Sequence, residues 1–439
     1  MGISESVIVK IERSRWEPEG GHTLGKQSVD SGSSITSHRS RLFFASCIAL
    51  IATAMTFAIR GDTIGALSSG FNLTKEQVGF IMAGAYWGFT ISIFIGGQLC
   101  DWLGMGKILL FAFLAHITGT FVIIFASGFW MLAGGTLVIG LANGFVEAAI
   151  NPLVATVYSD QKTKKLNALH AWFPGGIVIG TLVCIGLTHI QLGWQIKFAT
   201  VLAPTVLYGL LFVGMKFPST ERVQSGVSTG AMYKEALKPL FIVWFCTMLL
   251  TASTELGTNQ WIGEIMSKVA GTGIIVLAWI NIIMCIGRLF AGQWVHRMSP
   301  IKLLLGSSIF AAIGLFWLSN VHTPMTAYAA SFVFAVGVCY FWPTMLGVTS
   351  ERFPKGGALL LGLMGAAGMA SAGAAQPIMG RLYDLHGPAG ALRSVIILPV
   401  VLVVIFSLVF LRDRAKGGYK VESISGDTAS KTASEKVKV

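Results

Sequence analysis

Twelve apolar stretches, each long enough to cross a bilayer as a helix, decide what this chain can become. Six run over about residues 43–69, 77–100, 107–127, 129–157, 167–190 and 195–217. After a polar interval six more cover about 239–266, 271–292, 301–319, 325–349, 357–380 and 390–411. The predicted fold is an all-α membrane protein of twelve transmembrane helices. Only 12% of the 439 residues are charged, where a soluble domain carries about 25%. The six cysteines stand singly in apolar surroundings, so they read as small buried hydrophobes and form neither a metal site nor a disulfide framework.

The same pattern divides the chain. Residues 1–40 read as a flexible polar tail, 41–217 as a six-helix bundle and 218–238 as a linker. Residues 239–411 form a second six-helix bundle, and 412–439 a basic, Ser-rich tail. Lys and Arg crowd the connections that share a side with both tails, including Lys107, Lys162, Lys164, Lys165, Arg222, Lys234, Lys302 and Arg352. By the positive-inside rule that side is the cytoplasm, and both termini lie there. The expected location is a plasma membrane, in the manner of a bacterial inner membrane. The net charge of +12 follows this topology, so it calls for no nucleic-acid partner. Internal repetition sets the architecture. Gly97-Gln98 after the second stretch is answered by Gly292-Gln293 after the eighth, and the pattern P-x4-V-x-S-acid starts at Pro152 and again at Pro343. Two pseudo-symmetric six-helix halves around a central cavity produce such a pattern, with the site between them at mid-membrane.

Polar residues inside the stretches are the candidate site. Asn143, Glu147 and Asn151 recur at four-residue steps, so they line one helical face. Pro152 denies the carbonyl of Ala148 its helical partner. A carboxylate at membrane depth is tolerated facing a bundle interior or a watery cavity. Glu147 is then either part of a solute or ion site or an interhelical clamp. Thr247, Thr251, Glu255 and Asn259 make a second stripe, followed by Gln260. Its carboxylate and amides suit paired hydroxyls, although Glu255 can also clamp helices. Asp62 near the end of the first helix is either a functional acid or a solvated acid paired with Arg60. His170 is equally a structural donor or a ligand. Asn281 and Arg288 share a face, and Arg288 is expected at the cytoplasmic end as an ion-pair partner. Aromatic rings pack on the C–H face of a sugar. Trp172 and Trp342, beside prolines, are better placed for this than Tyr86, Trp87, Trp261, Trp279 and Tyr340. Trp102, Trp130, Trp194 and Trp317 are assigned to the interfacial belt.

Gly97-x-Leu99-x-Asp101-x-x-Gly104, closing in Lys107, resembles the loop signature of the major facilitator superfamily, and Arg288 with Arg297 resembles its repeat. Trp102 and Met105 replace the usual basic residues, and His296 the usual acid. Within that superfamily, Arg60-Gly61-Asp62, Gly144 to Pro152 and Trp342-Pro343-Thr344 resemble the fucose–galactose–glucose:proton symporters. The resemblance implies two essential acids, on Asp62 and Glu147, that handle the coupling proton. It also implies a conformational-gating role for Gly97, Asp101, Gly104, Lys107, Arg288 and Arg297. Leu169-His170 is closer to sodium-dependent glucose transporter-like relatives, which leaves sodium open as the coupling ion.

The resulting expectation is a monomeric secondary transporter for a monosaccharide, hexose or deoxyhexose, in proton symport without any cofactor or metal. Its expected solute contacts are Asn143, Asn151, His170, Trp172, Glu255, Asn259, Gln260 and Trp342. Sodium-coupled or uncoupled transport of another polar solute is the rival within the class. A membrane nutrient sensor is the rival outside it, which the short, low-complexity tails disfavour. An enzyme would need a paired nucleophile and base or a metal cluster, and the sequence offers neither.

Overall fold

The computed structural model describes residues 38–158, 162–219, 234–267, 269, 271, 273–290 and 298–422. Most of both tails, most of the linker, Asp160, Arg222 and the segment from Gly292 to Arg297 fall outside these residues, as does the side chain of Asp101. The described residues are helical, with no strand among them.

The first four crossings are α1 (Arg39–Gly70), α2 (Lys75–Leu103), α3 (Met105–Ile124) and α4 (Phe129–Val157). A capping box opens α2. The Thr74 hydroxyl accepts from the Gln77 amide at 3.1 Å, and the Gln77 side chain accepts from the Thr74 amide at 2.9 Å. Gly104, at φ +87°, then turns α2 into α3, a conformation that a side chain resists. The short helix α5 (Lys162–His170) leads into the fifth crossing, α6 (Trp172–His189). The sixth is split between α7 (Trp194–Ala199) and α8 (Leu202–Phe212).

In the second half α9 (Pro239–Ala252) and α10 (Thr258–Met266) form one crossing joined by a π-helical turn, Ser253–Gly257. The others are α11 (Gly273–Leu289), α12 (Pro300–Leu318), and α13 (Pro324–Val338) broken from α14 (Phe341–Arg352) within the tenth crossing. Helix α15 (Gly357–Val395) turns over at Gly387, φ +69°, and with α16 (Ile397–Ala415) makes the last two crossings. Where the sequence predicts a loop near 380–390, helical pairing continues to the turn. Among the described residues ten helices are long and apolar enough to span a membrane, one of them Leu359–Ala415, which holds two crossings, and the shorter α11 makes a further crossing. The protein is a multi-pass membrane protein of twelve crossings.

Helix packing sets the depth of the polar stripes. A methyl group at Gly140 or Gly144 would collide with the Ala85 carbonyl or the Ser92 hydroxyl, so α2 and α4 touch backbone to backbone. The carbonyl that Pro152 frees is taken by the Cys100 thiol of α2, Sγ to Ala148 O at 3.6 Å. The two halves meet along α2 with α15, α6 with α11 and α1 with α10. At the end far from the termini this contact is polar. Lys75 Nζ lies 2.6 Å from Glu264 Oε1. Asp384 accepts from the first amides of α2, Lys75 at 3.2 Å and Glu76 at 2.9 Å. A carboxylate there also complements the helix dipole.

Candidate functional site

Between the halves lies a cavity that, with the space open to solvent at its mouth, measures about 410 Å³. Its first-half wall is aromatic, with Phe57 of α1, Tyr86 of α2 and Phe173 of α6, beside Pro174 and Ile177. Its second-half wall carries the polar groups, Glu255, Asn259 and Gln260 from the π turn and α10 and Asn281 and Arg288 from α11, set among Leu256, Leu277 and Met284. The π turn explains why Gln260 joins this wall. One extra residue in the turn rotates the following helix, so the four-residue stripe continues on Asn259 and Gln260 together. Thr247 and Thr251, earlier in the stripe, are buried and bond back to Trp244 and Met248 of their own helix.

Charge and hydrogen bonds organise the polar wall. Arg288 Nη2 donates to Glu255 Oε1 at 3.0 Å, and its Nε to the Cys339 carbonyl at 3.0 Å, where α13 breaks into α14. The sequence expectation placed Arg288 at a cytoplasmic helix end, in the gating loop. In the structure it lies in the last turn of α11, in an ion pair with Glu255, and it also lines the cavity beside the break in the tenth crossing. The Tyr86 hydroxyl donates to Gln260 Oε1 at 3.2 Å, across the two halves. Three buried atoms of this wall, Glu255 Oε2, Asn259 Oδ1 and Gln260 Nε2, have no hydrogen-bond partner among the described residues. Unmet polar atoms beside an aromatic surface suit a solute that offers both hydroxyls and a C–H face. If they hold the solute, Asn259→Ala with Gln260→Ala should weaken binding about tenfold or more while the protein still folds, as calorimetric titration would report. Unchanged affinity would make the wall structural.

The α4 stripe behaves differently. Asn143 does not line the cavity. Its Oδ1 accepts from His116 Nε2 at 2.8 Å, its Nδ2 donates to Thr56 Oγ1 at 3.0 Å, and His116 Nδ1 meets the Tyr208 hydroxyl at 2.9 Å. This fully buried chain clamps α1, α3, α4 and α8 together. Glu147, one turn along, is 8% exposed, and Asn151 is its polar side-chain neighbour. Asp62 is not beside Glu147, nor paired with Arg60. Lys197 of α7 holds it, Nζ to Oδ2 at 2.5 Å, and also donates to Thr188 Oγ1 at 2.7 Å. Thr56 and Asn143 mark one depth on antiparallel helices. Asp62 lies six residues to one side and Glu147 four to the other, so about 15 Å of bundle axis separates the acids.

The remaining expectations scatter. His170, at the end of α5, lies near enough to Arg288 to feel its charge. Trp172 is 43% exposed at the start of α6, and the next residues, Phe173 and Pro174, line the cavity in its place. Trp342 packs against Gly368 of α15, where a methyl would meet its ring at 2.6 Å. Gly97, Gly104 and Lys107 lie at the α2–α3 turn, away from the cavity. Sequence reasoning missed Phe57, Phe173 and Lys197. A lysine near the start of the sixth apolar stretch was the available signal for Lys197.

Two six-helix halves that close on a polar and aromatic cavity at mid-depth define a solute carrier, not an enzyme. The chain belongs to the Major Facilitator Superfamily, whose family model matches residues 42–359. Among curated proteins it is similar to Myo-inositol transporter 1 of Candida albicans, 27% identical over 34% of this chain and 27% of that one. It is also similar to the Gentisate transporter of Corynebacterium glutamicum, 23% identical over 61% and 64%. These matches therefore span less than two thirds of either relative. Among solved structures a point mutant of the nucleoside transporter NupG superposes with a TM-score of 0.70 at 13% identity over 85% of this chain and 99% of that one. A D-xylose-proton symporter gives 0.69 at 14% over 84% and 96%. A point mutant of the E. coli fucose:proton symporter FucP gives 0.60 at 14% over 85% and 99%.

Proposed function

We propose that this carrier moves a monosaccharide across the membrane in symport with protons, by rocking its two halves about the central cavity. The observation that carries the reading is the wall where Glu255 Oε2, Asn259 Oδ1 and Gln260 Nε2 stand unpartnered opposite Phe57, Tyr86 and Phe173. Solute ordered there bridges both halves, so its binding favours their joint movement. Glu147, a carboxylic acid in apolar surroundings, is the proposed proton carrier, because its charged form is costly at that depth. Relatives and structural neighbours named for myo-inositol, D-xylose and fucose support a polyhydroxy solute. With both termini cytoplasmic, the Lys75–Glu264 and Asp384 contacts close the outer end, and the described arrangement is outward-closed.

The test is uptake of a panel of labelled sugars into proteoliposomes under an imposed proton or sodium gradient. Accumulation should follow the proton gradient and be stronger at external pH near 6 than near 8, since an acid must be loaded from outside. Uptake that follows sodium and ignores pH would overturn the proton assignment. A plasma membrane of bacterial inner-membrane type is the proposed setting.

A further inference from the structure

Arg60 of α1 is completely buried. Its Nε donates to the Thr56 carbonyl at 3.1 Å and its Nη1 to the Met82 carbonyl at 3.3 Å. The guanidinium carbon lies 4.5 Å from the centre of the Phe57 ring and 5.1 Å from that of Tyr86. Nη2 has no hydrogen-bond partner among the described residues. Among the described residues no carboxylate pairs with it, and the acid two residues on, Asp62, is engaged by Lys197. Arg60 therefore stands as an unbalanced charge directly behind two rings of the cavity wall. The opposite wall carries one more guanidinium, Arg288, and one carboxylate, Glu255, already paired with it. With Arg60 counted behind the wall, two cations stand against one anion at and just behind the described lining of this cavity.

A bare charge at membrane depth is expensive, and chains retain one where it serves a pathway or a ligand. The unpartnered atoms sort by type. Glu255 Oε2 and Asn259 Oδ1 accept, whereas Gln260 Nε2 and Arg60 Nη2 donate. Both donors border Tyr86. Gln260 receives the Tyr86 hydroxyl, and its Nε2 would lie 3.4 Å from a methyl at Gly61, the residue after Arg60. Hydroxyls suit the acceptor side, and an anion suits the donor side.

We infer that the solute is a sugar acid, a polyhydroxy ring that carries a carboxylate, and that Arg60 selects for its charge. The inference rests on the sugar reading above and narrows it. Arg60 acts through the Phe57–Tyr86 wall as a positioning charge, its field little screened because the residue is fully buried. Hydroxyls of the solute meet Glu255 Oε2 and Asn259 Oδ1, and its carboxylate is drawn toward Gln260 Nε2. The charges also balance over a cycle. With Glu147 ionised, the empty carrier's Arg60, Arg288, Glu255 and Glu147 sum to zero. With Glu147 protonated and the anion bound, they sum to zero again, so each turnover carries no net charge.

The experiment compares matched pairs, glucuronate with glucose and galacturonate with galactose, by calorimetric titration of the full-length protein and by charge movement across proteoliposomes. The uronate should bind about tenfold or more tightly than its hexose, and its symport should move no net charge. Arg60→Gln should remove that preference and Arg60→Lys should keep most of it. If Arg60→Gln does not fold, Gln260→Leu should weaken the uronate more than the hexose. A wild type that binds the hexose as tightly as the uronate overturns the inference and leaves the sugar reading standing. Binding of neither, with binding of a nucleoside or an aromatic acid instead, overturns the sugar reading itself.

Discussion

Glu147→Gln is expected to abolish accumulation of solute against a gradient while exchange of labelled for unlabelled solute continues at near its normal rate. Glutamine has the shape of a protonated glutamic acid but cannot lose a proton. A carrier locked in that form reorients with solute bound, because no charge change is required on that limb. It cannot release a proton inside, so the limb that returns the empty carrier stalls and the gradient does no work. The residue is suited to this part by its setting. It is 8% exposed in α4, with Asn151 as a polar neighbour and no cation paired with it among the described residues. The α4 backbone around it is held by Gly140 and Gly144 against α2 and by the Cys100 thiol on the freed Ala148 carbonyl. Glutamine fills the same volume, so that frame should persist. The checking measurements are gradient-driven uptake and counterflow in one preparation of proteoliposomes. Concentrative uptake by Glu147→Gln would assign coupling elsewhere, and loss of both activities would mark the residue as structural.

The fold was legible in the sequence because the bilayer leaves so few options. A run of apolar residues from Phe129 to Val157 is a helix on length alone, and α4 has those bounds. Details of the seventh crossing were less accessible. The stripe through Glu255 and Asn259 was visible at four-residue spacing, but the π turn at Ser253–Gly257 brings Gln260 in beside Asn259, and no propensity encodes that turn. Partner choice was the least legible part. Asn143 and Glu147 share a face in any helical projection, yet His116 and Thr56 occupy the first and leave the second without an ion-pair partner among the described residues. Arg60 and Asp62 are two residues apart, which on a helix turns them to different sides. One meets the rings of Phe57 and Tyr86, the other meets Lys197, and only the assembled bundle reveals which cation the acid keeps.

That last assignment carries the other large effect. The Asp62 and Lys197 side chains are 12% and 11% exposed, their charged atoms 2.5 Å apart. Removing one member of such a pair leaves an uncompensated charge in apolar surroundings and costs roughly 3–5 kcal/mol. Removing both leaves no bare charge. Asp62→Asn is therefore expected to lower thermal stability sharply, since the ammonium loses its counter-charge and keeps only neutral side-chain acceptors, the Thr188 hydroxyl and the new amide oxygen. Lys197→Met should do the same by stranding the carboxylate. The double variant should recover most of the loss, which marks a pair that joins α1 to α7 without handling protons. Transport separates this reading from the one the sequence resemblance implied. A coupling acid at Asp62 would make Asp62→Asn stable but unable to concentrate solute, and Lys197→Met would not repair it. The structural pair makes Asp62→Asn unstable, and gradient-driven uptake should return with stability in the double variant. Stability curves of the three variants beside the wild type, with uptake from the same membranes, distinguish the two outcomes. Recovery of stability without recovery of accumulation would return Asp62 to the proton path.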